Sequence, residues 1–104
     1  MDQSGNKNEI FVALKAYPNY FISNYGNVIN NKLGYDTHVV AHLNKLGYPI
    51  VELINKNGEK KKIPIYILVA KHFVKKDNDN LESDEIAFID KNRLNHKASN
   101  LKWI

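Results

Sequence analysis

Cysteine is absent from this chain, which removes disulfides and thiolate metal ligands and fits a reducing compartment. Arginine is almost absent: Arg93 stands alone beside fourteen lysines, leaving little supply for bidentate reading of guanine edges. No apolar run is long. The longest, Ile63 to Ala70, falls far short of the roughly 20 residues that cross a bilayer, so no membrane partner is expected. Met1 to Asn8 is polar and lacks the apolar stretch of a secretory signal, which places the expected location in the cytoplasm. Acidic residues are scarce outside one segment. Asp77, Asp79, Glu82, Asp84 and Glu85 lie together, and the rest of the chain sets 15 basic against 6 acidic side chains.

What is present is a single small domain's worth of chain, 104 residues, with 43% apolar content and enough aromatic residues for a modest core. A basic body with one acidic loop suits a polyanion approached from one side. Fifteen asparagines accompany the fourteen lysines, a bias of the kind AT-rich coding produces.

Hydrophobic patterning gives an α+β chain built on antiparallel hairpins. Met1 to Glu9 reads as a flexible tail. Tyr17 to Ile29 reads as strand, turn, strand, with Asn24-Tyr25-Gly26 supplying the turn and Phe21 on the opposite face from Tyr20 and Ile22. An internal echo follows: Asn31-Lys32-Leu33-Gly34-Tyr35 recurs as Asn44-Lys45-Leu46-Gly47-Tyr48. A repeat of one strand plus one turn indicates hairpins, since solenoid periods run to about 20 residues or more. Thr37 to Leu43 alternates like a strand. Pro49 to Ile54 is a second, Asn57-Gly58 a hairpin turn, and Lys60 to Ile63 its return. Pro64 suits the first position of a helix running to Val74, with Ile65, Leu68, Val69, His72 and Phe73 at helical spacing. Ile86 to Ile89 is a short strand, and Ser99 an N-cap for a final helical turn.

Two stretches resemble a known family. Tyr20-Phe21-Ile22-Ser23-Asn24-Tyr25-Gly26-Asn27-Val28 is similar to the nuclease-associated modular motif that precedes the core of many HNH homing endonucleases. Ile86 to Trp103 resembles the HNH active-site segment, in which a strand ends in Asp/Asn-His, a loop carries Asp-Gly-Asn, and Asn-Leu-x-Trp follows. Asp90, Asn92, Asn95, Asn100, Leu101 and Trp103 fit that frame. The resemblance implies residues 11–30 as the modular motif and 47–104 as an HNH-like core. The implied fold is antiparallel β-hairpins followed by a ββα-metal (His-Me finger)-like unit with a truncated last helix.

The chemistry departs from the frame. A metal-dependent nuclease needs a divalent ion on the phosphate and a base for water. In the family, the base and a metal ligand occupy the positions of Phe88 and Ala87, whose side chains neither accept a proton nor bind an ion. Tyr66 and Ile67 stand where a further family His is expected, and the sequence stops at Ile104 before another ligand. The expectation is a degenerate active site with no catalytic residues and no cofactor. Asp90, Asn92, His96 and Asn100 are the candidates for a rearranged metal site, with Asp90 and His96 as its catalytic pair and Mg²⁺ or Mn²⁺ as the ion. His72 reads as a partly buried packing residue. His38 and His42, four apart on a strand, lie about 13 Å apart, too far to share an ion.

Lys56, Lys60, Lys61 and Lys62 form a basic hairpin suited to phosphate contact, although lysines on an edge strand also block aggregation. Lys91, Arg93 and Lys97 add charge on the loop of the degenerate site. Asn24 and Asn27, with Tyr20 and Tyr25, are candidates for base-edge or sugar contacts. The leading expectation is a catalytically inactive HNH-like protein of phage or mobile-element type that binds double-stranded DNA. A protein-binding inhibitor of a host nucleic-acid enzyme, acting through Asp77–Glu85 or exposed aromatics, is one alternative. A divergent active nicking endonuclease is the other.

Overall fold

A computed structural model describes residues 8–76 and 85–104. Among these residues nine short strands form three small antiparallel sheets, with one α-helix packed against them. The first holds β1 (Phe11–Ala13), β2 (Tyr20–Ser23), β3 (Val28–Asn30) and β4 (Thr37–His38), in chain order. The second holds β5 (His42–Leu43), β6 (Pro49–Ile54) and β7 (Lys60–Pro64), followed by helix α1 (Ile65–Phe73). The third pairs β8 (Ile86–Phe88) with β9 (Leu101–Trp103). This is the expected α+β class of antiparallel hairpins.

One local device builds the hairpins. In the turns Asn44–Gly47 and Asn55–Gly58, the leading Asn Oδ1 accepts two backbone N–H groups ahead of it, from Leu46 and Tyr48 and from Asn57 and Glu59. Ser23 Oγ does the same for Tyr25 and Asn27. Each turn closes on a glycine at positive φ: Gly26 at 89°, Gly47 at 87° and Gly58 at 81°. A short polar side chain caps the turn, and glycine takes the left-handed corner without steric cost. Gly34, at 91°, closes the fourth turn, where its N–H donates to Asn31 O. The echo at 31–35 and 44–48 is thus two instances of a turn used four times.

The core lies where the sheets meet α1. Ile22, Val51, Leu53 and Val69 are fully buried among Leu14, Val28, Ile65, Leu68, Leu101 and Trp103. On β6 the alternation is clean: Pro49, Val51 and Leu53 point inward and Glu52 and Ile54 outward. Each fully buried aliphatic side chain stabilises by about 1.5–3 kcal/mol. Trp103 ties β9 to the helix, its indole N–H donating to Val74 O at 2.8 Å.

Four details differ from the sequence expectations. Thr37–Leu43 is not one strand. Its ends serve different sheets, and Val39 N–H donates to Val28 O while Val40 lies exposed. Pro64 closes β7 in extended geometry (ψ 134°), so the helix starts at Ile65. After Ser99 comes a single 3-10 turn, Ala98–Asn100, and then strand β9. The local cap signal yields there to pairing of Leu101 with Phe88. Asn8 and Glu9, counted with the tail, are tied down: Glu9 Oε2 accepts from Ser23 Oγ at 2.7 Å and from Asn27 Nδ2.

Candidate functional site

The loop between β8 and β9 carries the residues of the frame. Asn100 is its pin. Buried to 8% exposure, it accepts from Asp90 N–H at 3.0 Å and donates to Asp90 Oδ1 at 2.9 Å and Asn95 O at 2.8 Å. Asp90 Oδ1 also accepts from Asn92 N–H at 2.8 Å, and Oδ2 from Asn95 Nδ2 at 2.9 Å. These donors, the Asn95 amide foremost, hold the Asp90 carboxyl below its usual range. Asn92 Oδ1 accepts from Leu94 N–H at 3.0 Å. Lys91 occupies the place of the frame's central glycine and takes a left-handed φ of 64°.

His96 leaves this network. Its imidazole packs on the turn glycine of the first sheet: a Cβ built on Gly26 would lie 2.0 Å from His96 Nδ1. That nitrogen is buried without a hydrogen-bond partner. Burial depresses the imidazole pKa, and hydrogen bonding with the Tyr25 backbone only partly opposes this. Ala98 N–H donates to Asn24 O at 2.8 Å, a second tie between the loop and the N-terminal hairpin.

A divalent ion finds a poor donor set here. Both Asp90 oxygens and Asn100 Oδ1 are committed to amides, and His96 Nδ1 faces Gly26. Among the described residues no three His, Asp or Glu side chains cluster in metal-binding geometry. His38 and His42 lie on strands of different sheets. His72 is exposed rather than packed, its Nδ1 2.8 Å from Leu68 O in the helix's last turn.

Ala87 and Phe88 sit on β8, both half-buried. The Phe88 ring packs against Tyr66 from α1 (centroids 5.1 Å) and Tyr48 (5.8 Å), and the two tyrosines meet at 5.1 Å. Phe88 and Tyr66, both expected to depart from the HNH frame, are thus neighbours in space. Burial raises the Tyr66 hydroxyl pKa, and Tyr48 adds to the shift. Arg93 covers the outer side: its guanidinium lies 5.2 Å from the Tyr48 ring centre and donates to Leu46 O. Tyr48's part was missed in the sequence. Its signal was the echo, which places an aromatic directly after Gly47.

The basic candidates are exposed. Lys60, Lys61 and Lys62 lie on β7, an edge strand. They do not share a face: Lys61 sits opposite buried Leu53, whereas Lys60 and Lys62 sit opposite outward-facing Ile54 and Glu52. Lys61 Nζ is 3.9 Å from Glu59. Lys56 occupies the exposed Asn55–Gly58 turn, and Lys97 Nζ lies 5.0 Å over the Tyr25 ring. Asn24 and Asn27 are engaged within the fold. Asn24 Oδ1 accepts from Ile10 N–H at 2.8 Å and its amide donates to Asn8 O, while Asn27 donates to Glu9. They brace the N-terminal turn. Of the acidic segment Asp77–Glu85, residues 77–84 lie outside the described residues. Among those described, no helix is long and apolar enough to cross a membrane.

No protein-family model matches the chain. The H-N-H endonuclease F-TflII of Escherichia phage T5 is 36% identical over 96 residues, 91% of this chain and 47% of that protein. The uncharacterized HNH endonuclease L247 of Acanthamoeba polyphaga mimivirus is 33% identical over 101 residues, 94% of this chain and 24% of that protein. Among solved structures, the HNH homing endonuclease I-HmuI, described for DNA binding and cleavage, superposes with a TM-score of 0.76. It is 29% identical and covered over 91% of this chain and 52% of its own. The chain therefore spans about half of the phage relative and about a quarter of the viral one.

Proposed function

Since the chain belongs to the HNH homing endonuclease family, we propose that it is a non-cleaving member, of phage or mobile-element type, that binds double-stranded DNA. Residues 11–30 act as its modular binding motif and 47–104 as a degenerate core. One observation carries the loss of cleavage: Phe88 and Tyr66 fill the family's base and His positions and pack against each other, with Ala87 beside them. Ala87 and Phe88 can neither accept a proton nor bind an ion, and burial keeps the Tyr66 phenol protonated, so the proposed activity requires no divalent ion. Exposed Lys56, Lys60 and Lys62, with Lys91, Arg93 and Lys97 on the loop, supply phosphate contacts in the cytoplasm of the host.

The test is a pair of assays on one preparation. Plasmid and linear duplex should survive incubation with Mg²⁺ or Mn²⁺. Duplex binding should weaken steeply with salt. Because Lys60 and Lys62 share the outward face, their double Ala variant should lower the slope of log affinity against log salt by about 1.8. Nicking that vanishes in Asp90→Ala or His96→Ala would instead establish the rearranged nuclease. The three N–H donors already on the Asp90 carboxylate count against that outcome. An unchanged slope would make the lysines an edge guard. A protein captured from host lysate after nuclease treatment, without duplex binding, would establish the inhibitor.

A further inference from the structure

The echoed pentapeptide has a use beyond turning the chain. In both copies the structure presents the same tip: a lysine followed by a leucine that stands in solvent, Leu33 at 68% and Leu46 at 66% exposure. A single exposed leucine is ordinary on a protein surface, but here the same Lys-Leu pair recurs at the tip of two turns closed by a glycine at positive φ. These tips are not loose. At the second, Asn44 Oδ1 accepts from Leu46 and Tyr48 N–H, Gly47 N–H donates to Asn44 O, and Arg93 donates to Leu46 O. At the first, Lys32 N–H donates to Asn30 Oδ1 at 2.7 Å, Gly34 N–H to Asn31 O, and Asn31 N–H to Asn19 O. A rigid tip loses little entropy when it docks.

We propose that the two Lys-Leu tips are wedges for the minor groove of duplex DNA, each leucine pressing into a base step while its lysine takes the flanking phosphate. This rests on the DNA-binding reading and specifies how the duplex is held. Charge selects the occupant: neither copy contains an acid, and each leucine is preceded by a cation, which suits a polyanion better than an apolar protein face. Proteins that engage the minor groove combine cations with apolar wedges that partly unstack a step. Steps of TA type unstack most readily.

The experiment uses an alternating TA duplex carrying 2-aminopurine, whose fluorescence rises on unstacking, with binding measured across salt concentrations. The double variant Leu33→Ala/Leu46→Ala should bind about tenfold more weakly, keep the wild-type salt slope and lose the fluorescence rise, since leucine displaces no counterions. The double variant Lys32→Ala/Lys45→Ala should lower the slope by about 1.8. All four side chains are exposed, and denaturation curves should match wild type. If the wild type binds duplex and the leucine variant matches it in affinity and fluorescence, the wedge is overturned and the DNA reading stands. If the wild type binds no duplex, both fall.

Discussion

Gly26 is a sensitive position, and two separate effects make it so. Its φ of +89° lies in the left-handed region, where an alanine pays about 1–2 kcal/mol. A Cβ there would also sit 2.0 Å from His96 Nδ1 and 2.3 Å from Cε1, well inside van der Waals contact. Forcing the ring aside adds the roughly 1–3 kcal/mol typical of overpacking. Gly26→Ala should therefore destabilise by about 2–5 kcal/mol in urea denaturation. The partner variant separates the effects. His96→Ala removes the ring, so Gly26→Ala made in that background should cost only the backbone penalty of about 1–2 kcal/mol. The cycle should return a coupling of about 1–3 kcal/mol. Additive costs, or a Gly26→Ala cost below about 1 kcal/mol, would refute the docking of the loop between β8 and β9 on the N-terminal hairpin.

The same histidine sets a pH response. Its folded pKa lies below the unfolded value of 6.5, so the unfolded chain gains its proton first. Its contribution is full above about 6.5 and is lost as pH falls toward the folded pKa, a dependence that His96→Gln should reduce. At Lys91, φ 64° strains a side-chain-bearing residue, so Lys91→Gly should raise stability by roughly 0.5–1 kcal/mol, read as a higher urea midpoint; a lower midpoint would contradict the strain. Phe88 is half-buried, so Phe88→Ala should cost about 2 kcal/mol rather than the 3–5 of a fully buried ring. Phe88→His should destabilise and yield no Mg²⁺-dependent nicking, and nicking by that variant would show the site to be one substitution from active.

Legibility in the sequence followed the range of the interaction. Turns were legible because Ser23, Asn44 and Asn55 act on backbone N–H groups two and four residues ahead, a distance that sequence spacing records directly. β6 was legible because one face is buried and the other is not. Contacts between distant segments were not. Nothing local to Thr37–Leu43 reveals that its ends join separate sheets. Nothing local to Ser99 competes with the pairing of Leu101 and Phe88. The asparagines show the same limit from the other side. Asn24 and Asn27 suggested base contacts by residue type alone, yet their amides are occupied by Asn8, Ile10 and Glu9, the last two residues of the expected tail among them.

The aromatic cluster gains meaning from geometry that the sequence only hinted at. Ala87, Phe88, Tyr66 and Ile67 were separately expected to depart from the HNH frame, on a strand and on a helix. Folding makes Tyr66 and Phe88 one contact and adds Tyr48 from a hairpin turn. Isolated replacement of a base by phenylalanine would leave a ring facing polar ligands. Here the ring faces two others, in tilted contacts worth about 0.5–1.5 kcal/mol per pair beyond burial. Arg93 closes the outside of the cluster and ties it to the Leu46 tip. Removing one ring takes away two of the three contacts, and restoring one imidazole would place it between phenols. The cluster is therefore held as a unit, and the frame around it is pinned by Asn100 to Asp90 and Asn95.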